Sequence, residues 1–423
     1  MSEIFGWTPK RLTELADYIN GFAFKPDDWG EEGLPIIRIE QLKNPEASAD
    51  YFSGSLPSSR IIEDGDLIFS WSASLFLRIW QHGRAALNQH LFKVIEFDGV
   101  DRQFLKAFIE FHLPALTAAS HGSTMQHITR KELGRFTALF PSSKDEQAKI
   151  AEILSTVDRA IEQTETLIAK QQHIKTGLMQ DLLTRGIDEH GNLRSESTHE
   201  FKDSPLGRIP IEWEVSNMGS FITAIDAGWS PECEDVPPAQ GEWGILKVSS
   251  ISSGTFTPSE SKRLAANLKP IPSLEVFSND VLVSRANGVE SLVGKCVLVG
   301  STPARLMLSD KTLRVVPKPQ KITPTFLAAI ISSHPIRLQI GTLLSGSSGQ
   351  KNISQKQLRS LLVAVPGLNE QLISGNYVDR IVIDISRLTA NLDKLRALQK
   401  GLMQDLLTGK KRVTALLQGT TAQ

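Results

Sequence analysis

One octapeptide, Gly177-Leu178-Met179-Gln180-Asp181-Leu182-Leu183-Thr184, occurs a second time as residues 401–408. A chance match of eight consecutive residues is very improbable, so we interpret the chain as two copies of one structural plan. The distance between the two octapeptides is about half of the 423-residue chain. The sequence therefore predicts two similar halves, each of which ends in this octapeptide.

An apolar stripe leads up to each octapeptide in alternating steps of four and three residues, which is the spacing of a coiled-coil helix. The first stripe comprises Ile150, Leu154, Val157, Ile161, Thr164, Ile168, Gln171, Lys175, Leu178 and Leu182. The second comprises Ser374, Val378, Ile381, Ile385, Leu388, Leu392, Leu395, Gln399, Leu402 and Leu406. At ~1.5 Å of rise per residue, each helix would be about 50–60 Å long. Two such helices bury their stripes most simply against each other; two ordinary helices packed on separate domains are the alternative.

The composition favours a protein of the reducing cytoplasm. Two cysteines, Cys233 and Cys296, provide neither a disulfide framework nor a zinc-binding spacing. The N-terminus has no targeting signal, and no apolar run approaches the roughly 18 residues of a membrane span. The formal net charge is only −1, so the overall charge does not indicate a nucleic-acid partner. We expect a cytoplasmic protein without a membrane partner.

The motifs of common enzymes are absent from the sequence. It contains no P-loop, no glycine-rich dinucleotide loop, no His-Glu-x-x-His and no Cys-x-x-Cys. Ser259 and Lys262 fit a Ser-x-x-Lys hydrolase pattern, but such short matches arise often in polar loops. The sequence therefore predicts no catalytic residue, no metal site and no cofactor.

The predicted organisation follows from the repeat. We expect an α+β fold with strands over 34–39, 67–71 and 136–140, a short helix over 104–109, and Ser143 or Asp145 as the N-cap of the first long helix. The predicted segments are a globular unit (1–143), a long helix (144–184), a polar connector (185–212), a second unit (213–368), a second long helix (369–409) and a tail (410–423).

Each predicted globular unit carries two loops rich in side chains that read base edges and phosphates. One loop follows the strand that ends in Ser70 or Ser284, and the other precedes Ile128 or Ile353. The candidate DNA contacts of the first unit are Ser70, Trp71, Ser72, Arg78, Arg84, Gln89, His90, Ser123, Thr124, Gln126, His127 and Arg130. Those of the second are Ser284, Arg285, Asn287, Lys295, Lys311, Ser347, Ser348, Gln350, Lys351 and Asn352. Ordinary surface loops are the alternative, because the sequence has no basic stripe of the usual kind.

Six stretches in the same order resemble the specificity subunit of type I restriction-modification systems: 21–25, 65–70, 146–154, 228–231, 346–353 and 395–412. The resemblance covers nearly the whole chain. It implies two target-recognition domains, each reading one half of a bipartite site in double-stranded DNA. It also implies that the two long helices form an antiparallel coiled coil, related by an internal pseudo-twofold repeat, that sets the gap between the half-sites. The same helices would dock two adenine-specific methyltransferase subunits, through which restriction (motor-nuclease) subunits would join.

The two copies differ where they would contact DNA, since Trp71 stands where the second copy has Arg285. We therefore expect an asymmetric site. Trp71 either stacks on or wedges between bases, or is a partly buried surface tryptophan. A duplicated coiled-coil scaffold that binds proteins, without DNA specificity, is the competing function, and a hydrolase using Ser259 and Lys262 is a third.

Overall fold

The structure is a computed structural model that describes residues 4–119, 127–346 and 349–418. The chain folds into two compact units. Unit 1 comprises Met1–Thr166 together with Thr389–Gln423, and unit 2 comprises Leu167–Leu388. Each unit therefore takes its parts from both halves of the sequence.

Unit 1 is built on a four-stranded antiparallel sheet of order β2-β9-β6-β7, with a second sheet of order β4-β3-β8-β5 and the pair β1-β10. Within the second sheet, β3 and β8 are parallel. The strands are β1 (Trp7–Arg11), β2 (Ala16–Asn20), β3 (Leu34–Ile37), β4 (Tyr51–Phe52), β5 (Ile61–Ile62), β6 (Leu67–Ser70), β7 (Phe76–Ile79), β8 (Ala85–Leu87), β9 (Leu91–Glu96) and β10 (Thr137–Pro141). The helices are α1 (Ile39–Lys43), α2 (Arg102–Ala119), α3 (Arg130–Arg135) and the first part of α4 (Lys144–Thr184).

Unit 2 repeats this topology with sheets of order β14-β21-β17-β19 and β16-β15-β20, the pair β13-β23, and the parallel neighbours β15 and β20. Its strands are β11 (Phe201–Ser204), β12 (Gly207–Pro210), β13 (Glu214–Asn217), β14 (Ile222–Ala227), β15 (Gly244–Leu246), β16 (Ser261–Arg263), β17 (Val281–Ser284), β18 (Ala286–Asn287), β19 (Cys296–Leu298), β20 (Leu306–Met307), β21 (Thr312–Pro317), β22 (Lys351–Asn352) and β23 (Leu362–Val365). Its helices are α5 (Ser249–Ser252), α6 (Pro324–Ser332), α7 (His334–Leu343), α8 (Gln355–Ser360) and the first part of α9 (Leu368–Leu406); α10 (Thr414–Gln418) lies in the part of unit 1 that follows α9. The matching strand orders show an internal repeat of a mixed α/β unit.

The central strand of each unit is buried on both faces, which explains its uninterrupted apolar sequence. In β6, Leu67 and Phe69 pack into the larger core with α2, whereas Ile68 faces a second core with β3 and β8. In β17, Val281 and Val283 face the larger core, and Leu282 faces the second one. The end of this strand is consequently held rigidly in each unit.

Each long helix is fixed at its start to the unit that precedes it. The Ser143 Oγ caps α4 by accepting a hydrogen bond from the Glu146 N–H at 3.3 Å. The buried Gln147 side chain donates to the carbonyls of Pro141 and Gly99 and accepts from the Asp101 N–H. Gln371 makes the same three types of bond in unit 2, to Pro366, Lys321 and Thr323. Every position of the two predicted apolar stripes is buried or half-buried.

Several elements differ from the expected ones. The helix expected over 104–109 extends from Arg102 to Ala119, because the side chains of Leu105, Phe108, Ile109 and Leu116 continue into the core. The strand expected over 34–39 ends at Ile37, where α1 follows, and the connector contains the hairpin β11-β12. Among the described residues, no helix is long and apolar enough to cross a membrane.

Candidate nucleic-acid interface

The two loops predicted to contact DNA lie against each other in unit 1. Ser72, in the loop after β6, forms an antiparallel bridge with His127. Next to it, the Ile128 N–H donates to the Trp71 carbonyl at 3.0 Å. A third loop joins them, because the turn between β8 and β9 presents Gln89 and His90 to solvent beside Trp71. Three segments distant in sequence therefore form one surface.

Trp71 lies at the centre of this surface and is half-buried. Its ring stacks on Phe92 with 5.4 Å between centroids, and the imidazoles of His90 and His127 lie 6.0 and 5.8 Å away. The indole N–H is buried and has no hydrogen-bond partner among the described residues. These contacts hold the ring in the protein and orient two histidines around it.

The corresponding loops of unit 2 pair more extensively. Strands β18 and β22 place Ala286 opposite Asn352 and Asn287 opposite Lys351. The Ile353 N–H donates to the Arg285 carbonyl at 2.9 Å, and the Arg285 N–H donates to the Lys311 carbonyl at 2.8 Å. Arg285 thus joins all three loops through its backbone, while its side chain is exposed.

A glycine in each unit permits the turn of the third loop to approach the start of the fold. A Cβ atom on Gly21 would lie 2.2 Å from the carbonyl oxygens of Leu87 and Asn88, and one on Gly228 would lie 2.2 Å from that of Leu308. The following residue then bonds across the gap, Phe22 N–H to Leu87 at 2.7 Å and Trp229 N–H to Leu308 at 3.1 Å. Only glycine fits so close a backbone approach.

The other predicted contacts are distributed unevenly. Gln350 is exposed, and Lys295 lies beside the unit 2 loops because its carbonyl accepts a bond from the Ser284 N–H. The predicted contacts outside the described residues are Ser123, Thr124, Gln126, Ser347 and Ser348.

Two predicted serines are not on the surface. Ser70 and Ser284 are the last residues of β6 and β17 and are fully buried, so the expectation that these side chains are exposed on loops is wrong. The Ser70 hydroxyl donates to the Ser74 carbonyl at 2.5 Å, which closes the hairpin instead of reaching solvent. Burial against the strand ends leaves neither side chain available to a base edge.

The three arginines predicted in unit 1 are engaged elsewhere. Arg78 Nη1 is 3.4 Å from the Lys43 carbonyl, and Arg84 faces Glu63 at 3.7 Å. Arg130 donates to the carbonyl of Tyr18. None of the three is among the residues joined around Trp71.

Lys43 is a candidate that the sequence did not indicate. It ends α1, is exposed, and its Nζ donates to the Ser74 Oγ at 2.7 Å at the tip of the β6–β7 hairpin. No local pattern could have revealed it, since 31 residues separate the two partners.

The geometry gives no support to a catalytic or metal site. The described residues contain no group of three or more His, Cys, Asp or Glu side chains that could hold a metal ion. Within the described part of the chain, no hydrogen bond joins Ser259 to Lys262, and Lys262 lies in β16. What the described loops offer is a set of polar, cationic and imidazole groups on a rigid support.

Comparison with known proteins gives a consistent result. Residues 5–171 match the family model described as the type I restriction modification DNA specificity domain. The EcoEI specificity subunit of Escherichia coli is 36% identical over 166 residues, which are 39% of this chain and 28% of that subunit. The MjaVIII specificity subunit of Methanocaldococcus jannaschii is 25% identical over 422 residues, covering 97% of this chain and 94% of that one.

Two solved structures share the fold. The S subunit of a type I restriction-modification system from M. genitalium has a TM-score of 0.60 at 15% identity, covering 95% of this chain and 96% of its own. A chain from a study of complex assembly in the type I system has a TM-score of 0.53 at 16% identity, covering 97% and 100%. The family model, together with relatives that match across both halves, shows that the chain belongs to the type I restriction-modification specificity subunits.

Proposed function

We propose that each unit reads one half of an asymmetric, bipartite site in double-stranded DNA. A specificity subunit selects the target and leaves the chemistry to its partners, which agrees with the absence of catalytic motifs from this sequence. The observation that carries the proposal is the convergence of three loops in both units, where sequence-distant polar side chains meet at the end of a fully buried strand. A rigid support of this kind keeps base-reading groups in register.

The two long helices, we infer, form an antiparallel coiled coil that sets the gap between the half-sites. Within unit 1, Arg396 contacts Glu165 at 2.7 Å, Gln399 contacts Asp158 at 2.6 Å, and Arg412 contacts Glu146 at 2.5 Å. The position along α9 falls as the position along α4 rises, as antiparallel pairing requires. A rod of ~50 Å spans about 15 base pairs at ~3.4 Å each, enough for two short half-sites and an unread gap.

The proposed partners follow from the family. Two copies of a methyltransferase subunit would dock on the helices, and restriction subunits would join through them. The octapeptide supports this stoichiometry, since it places the same exposed residues, Gly177 with Gln180 and Gly401 with Gln404, on both helices. A partner present in two copies requires two equivalent surfaces.

Methylation mapping tests the proposal directly. A host without DNA methylation would express this chain with its methyltransferase subunit, and a second culture would express the methyltransferase alone. We expect N6-methyladenine at one asymmetric, gapped motif in the first culture only. An assembled and active complex that methylates no such motif would contradict the proposal and favour the protein-binding scaffold.

A further inference from the structure

Trp71 and Arg285 occupy the same backbone position in the two units. Each directly follows the buried central strand, β6 or β17. The carbonyl of each accepts a hydrogen bond from the isoleucine N–H that begins the segment before α3 or α8, at 3.0 Å from Ile128 and 2.9 Å from Ile353. The substitution of tryptophan by arginine therefore changes the chemistry at one fixed point of the fold.

The neighbours of this position also correspond. The turn before β9 presents His90, and the turn before β21 presents Lys311. The segment before α3 ends in His127, and the segment before α8 ends in Asn352; each precedes the bonded isoleucine. We call Trp71, His90 and His127 the unit 1 trio, and Arg285, Lys311 and Asn352 the unit 2 trio.

The unit 2 trio presents two cations that the protein does not use itself. Arg285 and Lys311 are exposed, and neither forms an ion pair within the described part of the chain. Asp310 is the one acidic residue in the three loop segments 285–289, 309–312 and 349–352. By contrast, Arg314 of the same unit is bound to Asp226 and Asp280.

The backbone around Arg285 is fixed before any ligand binds. Its N–H and carbonyl are both bonded, and the next two residues pair with β22. Ordering a guanidinium on such a support costs less entropy than ordering one on a free loop. Arginine and lysine pair with the O6 and N7 acceptors that guanine presents in the major groove, and these pairs are the commonest specific contacts to DNA.

The unit 1 trio contains no cation of this type. Its indole is packed on Phe92 and supports two imidazoles, while Arg78, Arg84 and Arg130 are engaged away from it. Imidazole and the amide of Gln89 can form single hydrogen bonds to base edges but cannot form the planar, forked pair of a guanidinium. Trp71 is accordingly a positioning residue, not a wedge.

We propose that Arg285 and Lys311 read guanine in the half-site of unit 2, and that unit 1 reads its half-site through His90, His127 and Gln89 on the platform of Trp71. The inference rests on the proposed function and specifies the bases and residues that make the site asymmetric. It predicts that guanine N7 in the half-site of unit 2 contributes to binding through these two side chains.

The test uses the assembled complex and duplexes that carry the mapped motif. A photo-cross-linker at Gln350, which is exposed beside the unit 2 loops, identifies the half-site of that unit. Each guanine there is then replaced by 7-deazaguanine, which lacks the N7 acceptor. We expect the wild-type complex to bind the substituted duplex roughly ten-fold more weakly. Arg285→Ala or Lys311→Ala should weaken binding to the unmodified duplex similarly and show little further loss with 7-deazaguanine.

Matched controls separate this inference from general electrostatics. Lys269→Ala removes one exposed charge from the same unit, outside the trio, and should retain the full 7-deazaguanine effect. In unit 1, Trp71→Phe should keep the half-site preference, and Trp71→Ala should lose it without changing the preference of unit 2. A half-site of unit 2 without guanine, or a wild-type complex insensitive to 7-deazaguanine, would overturn the assignment while the motif stands. Failure of the wild-type complex to recognise any motif would instead overturn the proposed function.

Discussion

Gly228 is placed where any larger residue would separate two backbones. Its hypothetical Cβ lies 2.2 Å from the Leu308 carbonyl oxygen and 2.5 Å from that of Ser309, and these are backbone atoms that cannot rotate away. We expect Gly228→Ala to destabilise unit 2 by about 2–4 kcal/mol. Because the turn 309–312 carries Lys311, the substitution should also weaken recognition of the unit 2 half-site.

Gly300→Ala is the matched control, since a Cβ at Gly300 meets no atom within 4 Å. Chemical denaturation of both variants measures the effect, and methylation of duplexes altered in one half-site measures recognition. Equal stability of the two variants would show that the backbone approach at Gly228 relaxes without cost.

At the scale of elements, helix α2 contains a buried histidine that makes unit 1 sensitive to acid. Burial among the rings of Phe108, Phe111 and Phe136 lowers the pKa of His112 to about 4, and its Nε2 has no partner among the described residues. The folded state therefore holds His112 neutral, whereas the unfolded chain binds a proton below the ordinary pKa of about 6.5. The stability associated with neutral His112 is complete above pH 6.5 and is lost as the pH falls towards 4.

Replacing His112 by Phe removes this titration from α2. Between pH 7 and pH 5 the wild-type chain should lose about 1–2 kcal/mol that the His112→Phe variant retains. The exposed His82 offers a control, because His82→Phe should leave the acid dependence unchanged. Urea midpoints at the two pH values decide the matter, and identical losses in wild type and His112→Phe would refute it.

The sequence predicted the elements whose signal is local. The apolar stripes indicated long helices over 144–184 and 369–409, and the structure has α4 at Lys144–Thr184 and α9 at Leu368–Leu406. It could not predict pairings such as β3 with β8, because parallel neighbours are distant in sequence and their register depends on the assembled core. The same limit applies to the candidate site. Loops around Trp71 and Arg285 were recognisable by composition, but their mutual contacts, the burial of Ser70 and the approach of Lys43 arise from tertiary structure.

At the scale of the whole molecule, each unit is completed by a segment from the other half of the sequence. In unit 2, the connector's Arg194 bonds to Glu370 at the start of α9 at 2.6 Å, and both side chains are nearly buried. In unit 1, Arg412 of the tail bonds to Glu146 at the start of α4. The tail thus has the role in unit 1 that the connector has in unit 2. The repeat of the sequence is a repeat of this closure as well as of the sheets.

If the helices set the gap between half-sites, lengthening both of them must lengthen the gap. Seven residues inserted after Thr166 in α4 and after Leu388 in α9 would preserve the four-three stripe and add ~10.5 Å to each helix. We expect the methylated motif to keep both half-sites and to gain up to about three base pairs between them, as measured by methylation mapping. The same seven residues placed in the connector, after Glu196, should leave the gap unchanged. An unaltered gap in the helix variant, with methylation intact, would mean that the distance between half-sites is set elsewhere in the complex.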